Sequence, residues 1–289
     1  MKKSMNMLRM VLILASSLLA GGCSYIIDRQ TSNAAEQLSQ TILNHEDPAT
    51  VSAAIPTLLI LMDSYARSDG SSGDAKLSAA KLYGAYAGAF VEDPLRRKTL
   101  TSTAFRYARD GSCKNDFDWC GVDKMDIKTF SAFVQNLERQ ELDIVYAYAV
   151  AWLSYIEAHS DDWNAIADLP KPQQLFAFVL EQDESYDHAN AHLYLAALAL
   201  TLPPALGGKP DVGKQHFDRA IELTDGHNLL IQVEYARRYA RLVFDKDLHH
   251  ALLVGVLASD PRQEGLTLMN VWAQQQAQLL LDDESDYFD

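Results

Sequence analysis

The strongest constraint in the chain is the corner Leu202-Pro203-Pro204-Ala205-Leu206-Gly207-Gly208-Lys209-Pro210. Proline fixes φ and removes a donor, and glycine supplies positive φ, so paired prolines beside paired glycines cannot continue a helix and set a defined turn. Beyond the corner the pattern is strongly helical. A short helix carries His216, Phe217, Ala220 and Ile221, and Gly226-His227-Asn228 breaks it. The spacing then predicts one long amphipathic helix from Leu229 through Tyr235, Ala236, Tyr239, Ala240 and Leu242 to Phe244, and a further helix after Asp245.

The rest of the chain reads the same way. Asp47-Pro48, Asp93-Pro94 and Asp260-Pro261 look like helix starts, because Asp caps the orphan N–H groups and Pro suits the first helical position. Helices are expected over Asn33–Asn44, from Pro48 to Tyr65 with a kink at Pro56, and over Asp74–Val91, Pro94–Arg109, Ile127–Leu137, Glu141–Ala158, Trp163–Ala167, Gln173–Gln182, Asp187–Leu200 and Pro261–Leu281. Short connections make neighbours antiparallel. No alternating β-branched run calls for a strand, so the fold class is all-α, a set of antiparallel helix pairs. Gly213, Phe217 and Ala220 fit the second helix of a tetratricopeptide repeat, and Tyr83-Gly84 with Ala87 loosely fits the first. No strict period of about 34 residues is kept, so the architecture is a degenerate tetratricopeptide-like superhelix or an irregular bundle. One all-helical domain is expected over residues 33–281, with residues 282–289 an acidic tail that frays.

The Leu202–Pro210 corner, His216-Phe217, Ala220, Tyr235-Ala236, Tyr239-Ala240-Arg241, Phe244-Asp245 and Leu248-His249 together resemble the T-component (TatT) family of lipoproteins that accompany TRAP-type solute transporters. The resemblance is densest from Trp152 to Leu281, and departs at His250 and Gly255, where charged residues are expected. It implies a tetratricopeptide-like fold with a ligand cleft or pore, a homotrimer, and docking to the cognate periplasmic solute-binding protein. It implies hand-over of a small hydrophobic or carboxylate solute without chemistry on it, so no enzyme activity and no cofactor.

Charge and cysteines narrow the setting. The 289 residues carry a formal charge of −14, and no basic run exists to hold phosphates, so nucleic acid is not an expected partner. Lys2 and Lys3 precede the apolar stretch Met10–Ala20, which is too short to span a bilayer. Leu18-Leu19-Ala20-Gly21-Gly22-Cys23 resembles a lipoprotein cleavage site, giving residues 1–22 as signal peptide, Cys23 as the lipidated residue and residues 23–32 as tether. The alternative is an ordinary secretory signal. Ser24, in place of the Asp of inner-membrane retention, favours the outer membrane. Without residues 1–22, 22 bases face 39 acids, a charge of −17, so the only contact with membrane is through lipid. Cys113 and Cys120 then remain, either as a small periplasmic disulfide or as two thiols.

Four constellations bear on chemistry. His188 and His192 stand four apart with Glu184 one turn earlier, and His249-His250 follows Asp245, but Ala189 stands where a zinc-protease helix needs Glu. No metal site is therefore expected. No Gly-x-Ser-x-Gly elbow or phosphate loop occurs. On the predicted long helix Arg238, Arg241, Asp245 and His249 form one stripe beside Tyr235, a set suited either to a carboxylate ligand or to an internal Arg241–Asp245 ion pair. Trp152, with Tyr146, Tyr148, Tyr155, Phe176, Phe178 and Tyr194, either lines a pocket or packs a core. Against the transporter accessory stand an envelope scaffold that binds only protein and, more remotely, a metal hydrolase.

Overall fold

A computed structural model describes residues 37–68, 70–202 and 204–288. Among these the fold is all-α, with helices packed in pairs and no strand. The expected signal peptide, Cys23 and tether lie outside the described residues.

The helices are α1 (residues 37–43), α2 (Pro48–Ala66), α3 (Gly73–Phe90), α4 (Pro94–Asn115), α5 (Ile127–Gln135), α6 (Leu142–Ala158), α7 (Trp163–Ala167), α8 (Pro170–Gln182), α9 (Tyr186–Leu200), α10 (Pro210–Leu223), α11 (Leu229–Glu234), α12 (Lys246–Ala258), α13 (Thr267–Asp282) and α14 (Glu284–Phe288). Each long helix packs on its predecessor: α2 on α3, α3 on α4, α4 on α6, α6 on α8, α8 on α9 and α9 on α10. The far end folds back, because α13 touches α2 and Gly265 N–H donates to Asn44 Oδ1 at 2.8 Å.

Local chemistry explains most boundaries. The Asp47 carboxylate accepts from Ala49 N–H at 2.9 Å and Asp93 accepts from Arg96 N–H at 2.6 Å, each with proline at the helix start. α2 continues through Pro56. Asp260-Pro261 behaves otherwise. Asp260 accepts from Arg262 N–H in a local turn, and the Pro261 carbonyl is taken by the Asn270 amide at 3.1 Å. That turn delays α13 to Thr267.

The Pro/Gly corner contains one 3-10 turn, Pro204–Leu206, and Gly207 takes φ +100°. Lys209 N–H then donates to Ala199 O at 2.8 Å, which reverses the chain and lays α10 along α9. Gly213 makes the approach possible, since a Cβ there would lie 2.9 Å from Leu200 Cγ. Phe217 and Ala220, the repeat-like pair, are fully buried beneath it.

α9 itself begins abnormally. Asp187, His188 and Ala189 have φ of 49°, 55° and 61°. Left-handed backbone costs a side-chain-bearing residue roughly 1–2 kcal/mol, so neighbours must hold it. Tyr146 O–H donates to Asp187, Asn190 donates to Asp187 at 3.1 Å, and the buried Asn228 amide donates to His188 O at 3.1 Å.

Cys113 and Cys120 are bonded, joining the last turn of α4 to the loop that carries Trp119. Trp119 is buried, and its indole N–H donates to Glu141 Oε1 at 2.9 Å. The closed loop is short, so chain entropy alone assigns the bridge roughly 2–3 kcal/mol. Dithiothreitol is expected to lower the urea-unfolding free energy by that amount. A Cys113→Ser/Cys120→Ser double variant should be insensitive to the reductant.

As far as Phe288 the acidic tail is helical rather than frayed. α14 docks with Phe288 buried, Glu284 accepts from both His249 (2.8 Å) and His250 (3.0 Å), and Phe288 packs on the His249 ring at 5.1 Å. An acidic composition reads as a solvated tail. Here its one inward carboxylate has two imidazole partners, which hold it below the usual range against the opposing effect of its burial.

Candidate functional site

The predicted stripe is brought together only in part: Arg241 Nε donates to His249 Nε2 at 3.4 Å, while Arg238 and Asp245 find other partners. The backbone is π-helical from Tyr235 to Ala240, with Arg241 N–H donating to Ala236 O at 3.3 Å. The wider turn adds a residue and rotates everything after it, and Phe244 ends it at φ 58°. Arg238 therefore faces Glu234 (2.7 Å) and Glu157 (3.4 Å), while Arg241 reaches Asp283 at 2.8 Å and lies 4.4 Å from the Tyr287 ring centroid. Asp245 caps α12 through Leu248 N–H. His249 is fully buried. Tyr235 stacks on Phe217 at 4.8 Å and donates to Asp218 at 3.1 Å, and burial pushes its phenol up to about 12. These residues knit the last third of the fold together, and the ion pair of Arg241 is made across to Asp283 beyond α13.

Of the metal constellations, His249 and His250 meet Glu284 while Asp245 caps α12, and the other pair separates. His188 sits in the left-handed segment, its imidazole beside Gly265, while His192 turns to His216 with the two Nδ1 atoms 2.8 Å apart. His192 Nε2 lies 3.2 Å from Glu184, which is held by Arg219 at 2.6 and 3.0 Å. No group of three or more His, Cys, Asp or Glu placed to hold a metal occurs among the described residues.

Trp152 and Tyr155 are the residues of the predicted aromatic set that border an open depression. This space, about 470 Å³, lies between α4 and α6 and is lined by Ser102, Phe105, Arg106, Arg109, Trp152 and Tyr155, with Asp123 and Asp168 at its edge. Most of the other candidate aromatics are core: Tyr146, Tyr148, Phe176 and Phe178 are buried. The spacing of the liners is helical. Ser102, Phe105, Arg106 and Arg109 share one face of α4, and Trp152 and Tyr155 share one of α6.

A layered stack forms the floor. Arg109 lies over Phe105 (5.3 Å), Phe105 stacks on Trp152 (5.4 Å, 19°), and the Lys171 ammonium lies 5.4 Å from the Trp152 centroid. Carboxylates hold the outer cations, Arg109 pairing with Asp123 at 3.0 Å and Lys171 with Asp168 at 2.9 Å, and Lys171 also donates to the Asp123 backbone carbonyl at 3.0 Å. The cation–ring contacts make the floor rigid.

The depression also contains Ser102, whose Oγ is 3.4 Å from His159 Nε2, and His159 Nδ1 donates to Tyr155 O at 2.8 Å. That pair resembles a nucleophile and base. Ser102 lies inside α4, however, where the backbone N–H groups are spent on the helix and none is left to form an oxyanion hole.

Sequence reasoning passed over Arg106 and Arg109. Their signal is a basic pair three apart on a helix flanked on two sides by apolar helices.

A second hollow, about 420 Å³ and almost wholly apolar, lies between α1 and α2, lined by Leu38, Ile42, Val51, Ile55 and Leu58.

No curated protein matches the chain. A family model described as TRAP transporter T-component matches residues 44–288, a stretch that takes in every long helix described above, including the α4–α6 depression and the docked carboxyl end. On that match the chain belongs to the TRAP transporter T-component family.

Proposed function

We propose that this TRAP transporter component is a non-catalytic periplasmic lipoprotein, anchored through Cys23 to the outer membrane. It holds a small organic ligand and docks the cognate TRAP-type solute-binding protein. The observation that carries the ligand-holding part is the depression against Trp152, where a cation–aromatic floor meets polar side chains, among them the unpaired Arg106. The family membership supports the transporter association. Tagged protein purified from envelope extract is expected to retain a TRAP-type solute-binding protein, and its recovery alone would remove the docking claim. Labelled palmitate should enter the wild type and not Cys23→Ser.

The homotrimer is supported by α2. Its mean hydropathy of 1.4 is that of a membrane-crossing helix, yet one side packs on α3. Ile60, Leu61 and Tyr65 are 71%, 61% and 59% exposed on the other. Exposed apolar surface of this kind is normally covered by protein. Leu61→Glu is expected to shift the sedimenting species from trimer to monomer while moving the melting temperature little, because Leu61 contributes nothing to the protomer core. An unchanged trimer would assign copy-to-copy contact elsewhere. The same apolar hollow and face favour the second reading, an envelope scaffold that binds protein alone; in that case no solute binds at Trp152.

A further inference from the structure

We propose that the depression between α4 and α6 takes a small hydroxylated monocarboxylate and that Arg106 is the group that anchors its carboxylate. This rests on the ligand-holding reading above and names the ligand class and the residue.

Arg106 differs from every other arginine in the described residues. Arg67, Arg109, Arg219, Arg237, Arg238, Arg241 and Arg262 are paired with carboxylates. Arg96 donates to the Tyr86 hydroxyl, and Arg97 and Arg139 donate to backbone carbonyls. Arg106 has only the face of Tyr107, 4.6 Å from its centroid. In a chain with 39 acids and 25 bases, an unpaired half-buried guanidinium is unusual, and it lines the depression. A guanidinium presents a planar fork of donors that matches a carboxylate.

The surroundings set the charge. Arg109 is matched by Asp123, and Lys171 by Asp168, which leaves Arg106 as the single excess charge of the site. A monoanion restores neutrality. A dianion would bring its second charge against Asp123 and Asp168.

They also set the body of the ligand. Flat aromatic acids have no ring face to stack on, because Arg109, Phe105, Trp152 and Lys171 already cover one another. What the walls offer is polar: the Ser102 and Tyr155 hydroxyls and the edge carboxylate of Asp168. These groups suit ligand hydroxyls.

Calorimetric titration of the mature protein with D-gluconate, D-glucuronate and L-lactate, and with sorbitol, glucarate, benzoate and octanoate as contrasts, tests the proposal. At least one of the three hydroxy acids should bind, with sorbitol and glucarate at least tenfold weaker. Arg106→Gln should weaken that hydroxy acid at least tenfold with an unchanged melting temperature, and Arg106→Lys should recover part of the loss. Equal binding of sorbitol, or full affinity in Arg106→Gln, overturns it. Binding of octanoate or benzoate alone overturns the ligand class and keeps the reading that the depression holds a solute. Binding of nothing in the panel overturns both, while co-purification of a solute-binding protein would still stand for docking.

Discussion

Trp152→Ala is expected to cost about 3–5 kcal/mol of unfolding free energy, the range for deleting a large buried aromatic side chain. Trp152 is only 1% exposed, and the rings of Phe105, Tyr148 and Phe130 pack on it with centroids 5.4, 5.6 and 5.9 Å away. The indole is the shared element of the α4 face, the α5 face and the Lys171 stack, so its removal leaves a void that three helices border. A domain of this size has roughly 5–15 kcal/mol in total, so the loss is a large share. Trp152→Phe keeps a ring against Phe105 and should cost about 1–2 kcal/mol, in line with partial loss of buried apolar volume. Urea unfolding followed by circular dichroism distinguishes two roles. A residue present only to touch a ligand would move the midpoint little, and a change under about 1 kcal/mol for the alanine variant, the size of an ordinary surface substitution, would refute the structural role assigned here. The depression depends on that role, because the ring that fills the core also forms part of its lining.

Much of this fold could be read from residues whose effect is local. Asp47 and Asp93 cap through their own side chains, Gly207 turns through its own φ, and the helical spacing of Leu142–Ala158 buries its apolar face. The failures share a cause: each depends on a distant partner. Nothing in Tyr235–Ala240 marks a π turn, since the same six residues would fit an α-helix; the wider turn is held by the packing of Tyr235 on Phe217 and by Arg238 reaching Glu157. Asp187, His188 and Ala189 are ordinary helix formers forced left-handed by Tyr146 and Asn228, which lie about forty residues away on either side. Glu284 reads as solvated in a run of acids, and two histidines from α12 claim it. The candidate site was half legible. Trp152 announced itself by size and setting, whereas Arg106 is informative only because the other arginines turn out to be occupied.

Lowering the pH from 6.5 to about 4 is expected to weaken the α9–α10 pairing. His192 and His216 face each other through their Nδ1 atoms at 2.8 Å, which requires one N–H donor and one bare acceptor. Burial, and for His216 the neighbouring His192 as well, holds both imidazoles below the ordinary value of 6.5, with His216 lowered to about 4; Glu184 only partly offsets the burial of His192. The groups that face the pair are Glu184, from the turn before α9, and Arg219, from α10. Proton uptake decides the sign. Below 6.5 the unfolded chain binds protons that the folded pair refuses, so stability falls as pH drops, and the loss levels off once the folded His216 also protonates near 4. After discounting for the partial exposure of His216, the loss amounts to about 2 kcal/mol across the window. Glu184 acts in the opposite sense and lower down: Arg219 draws it to about 2, so its stabilisation survives the histidine window and disappears only as pH falls from 4.5 toward 2. His216→Gln keeps an amide to bond His192 and cannot titrate. The difference in urea midpoint between wild type and this variant should therefore change with pH between 6.5 and 4 and stay constant above 7. A difference that is flat across that window would show that burial does not hold the imidazole pair below its ordinary range.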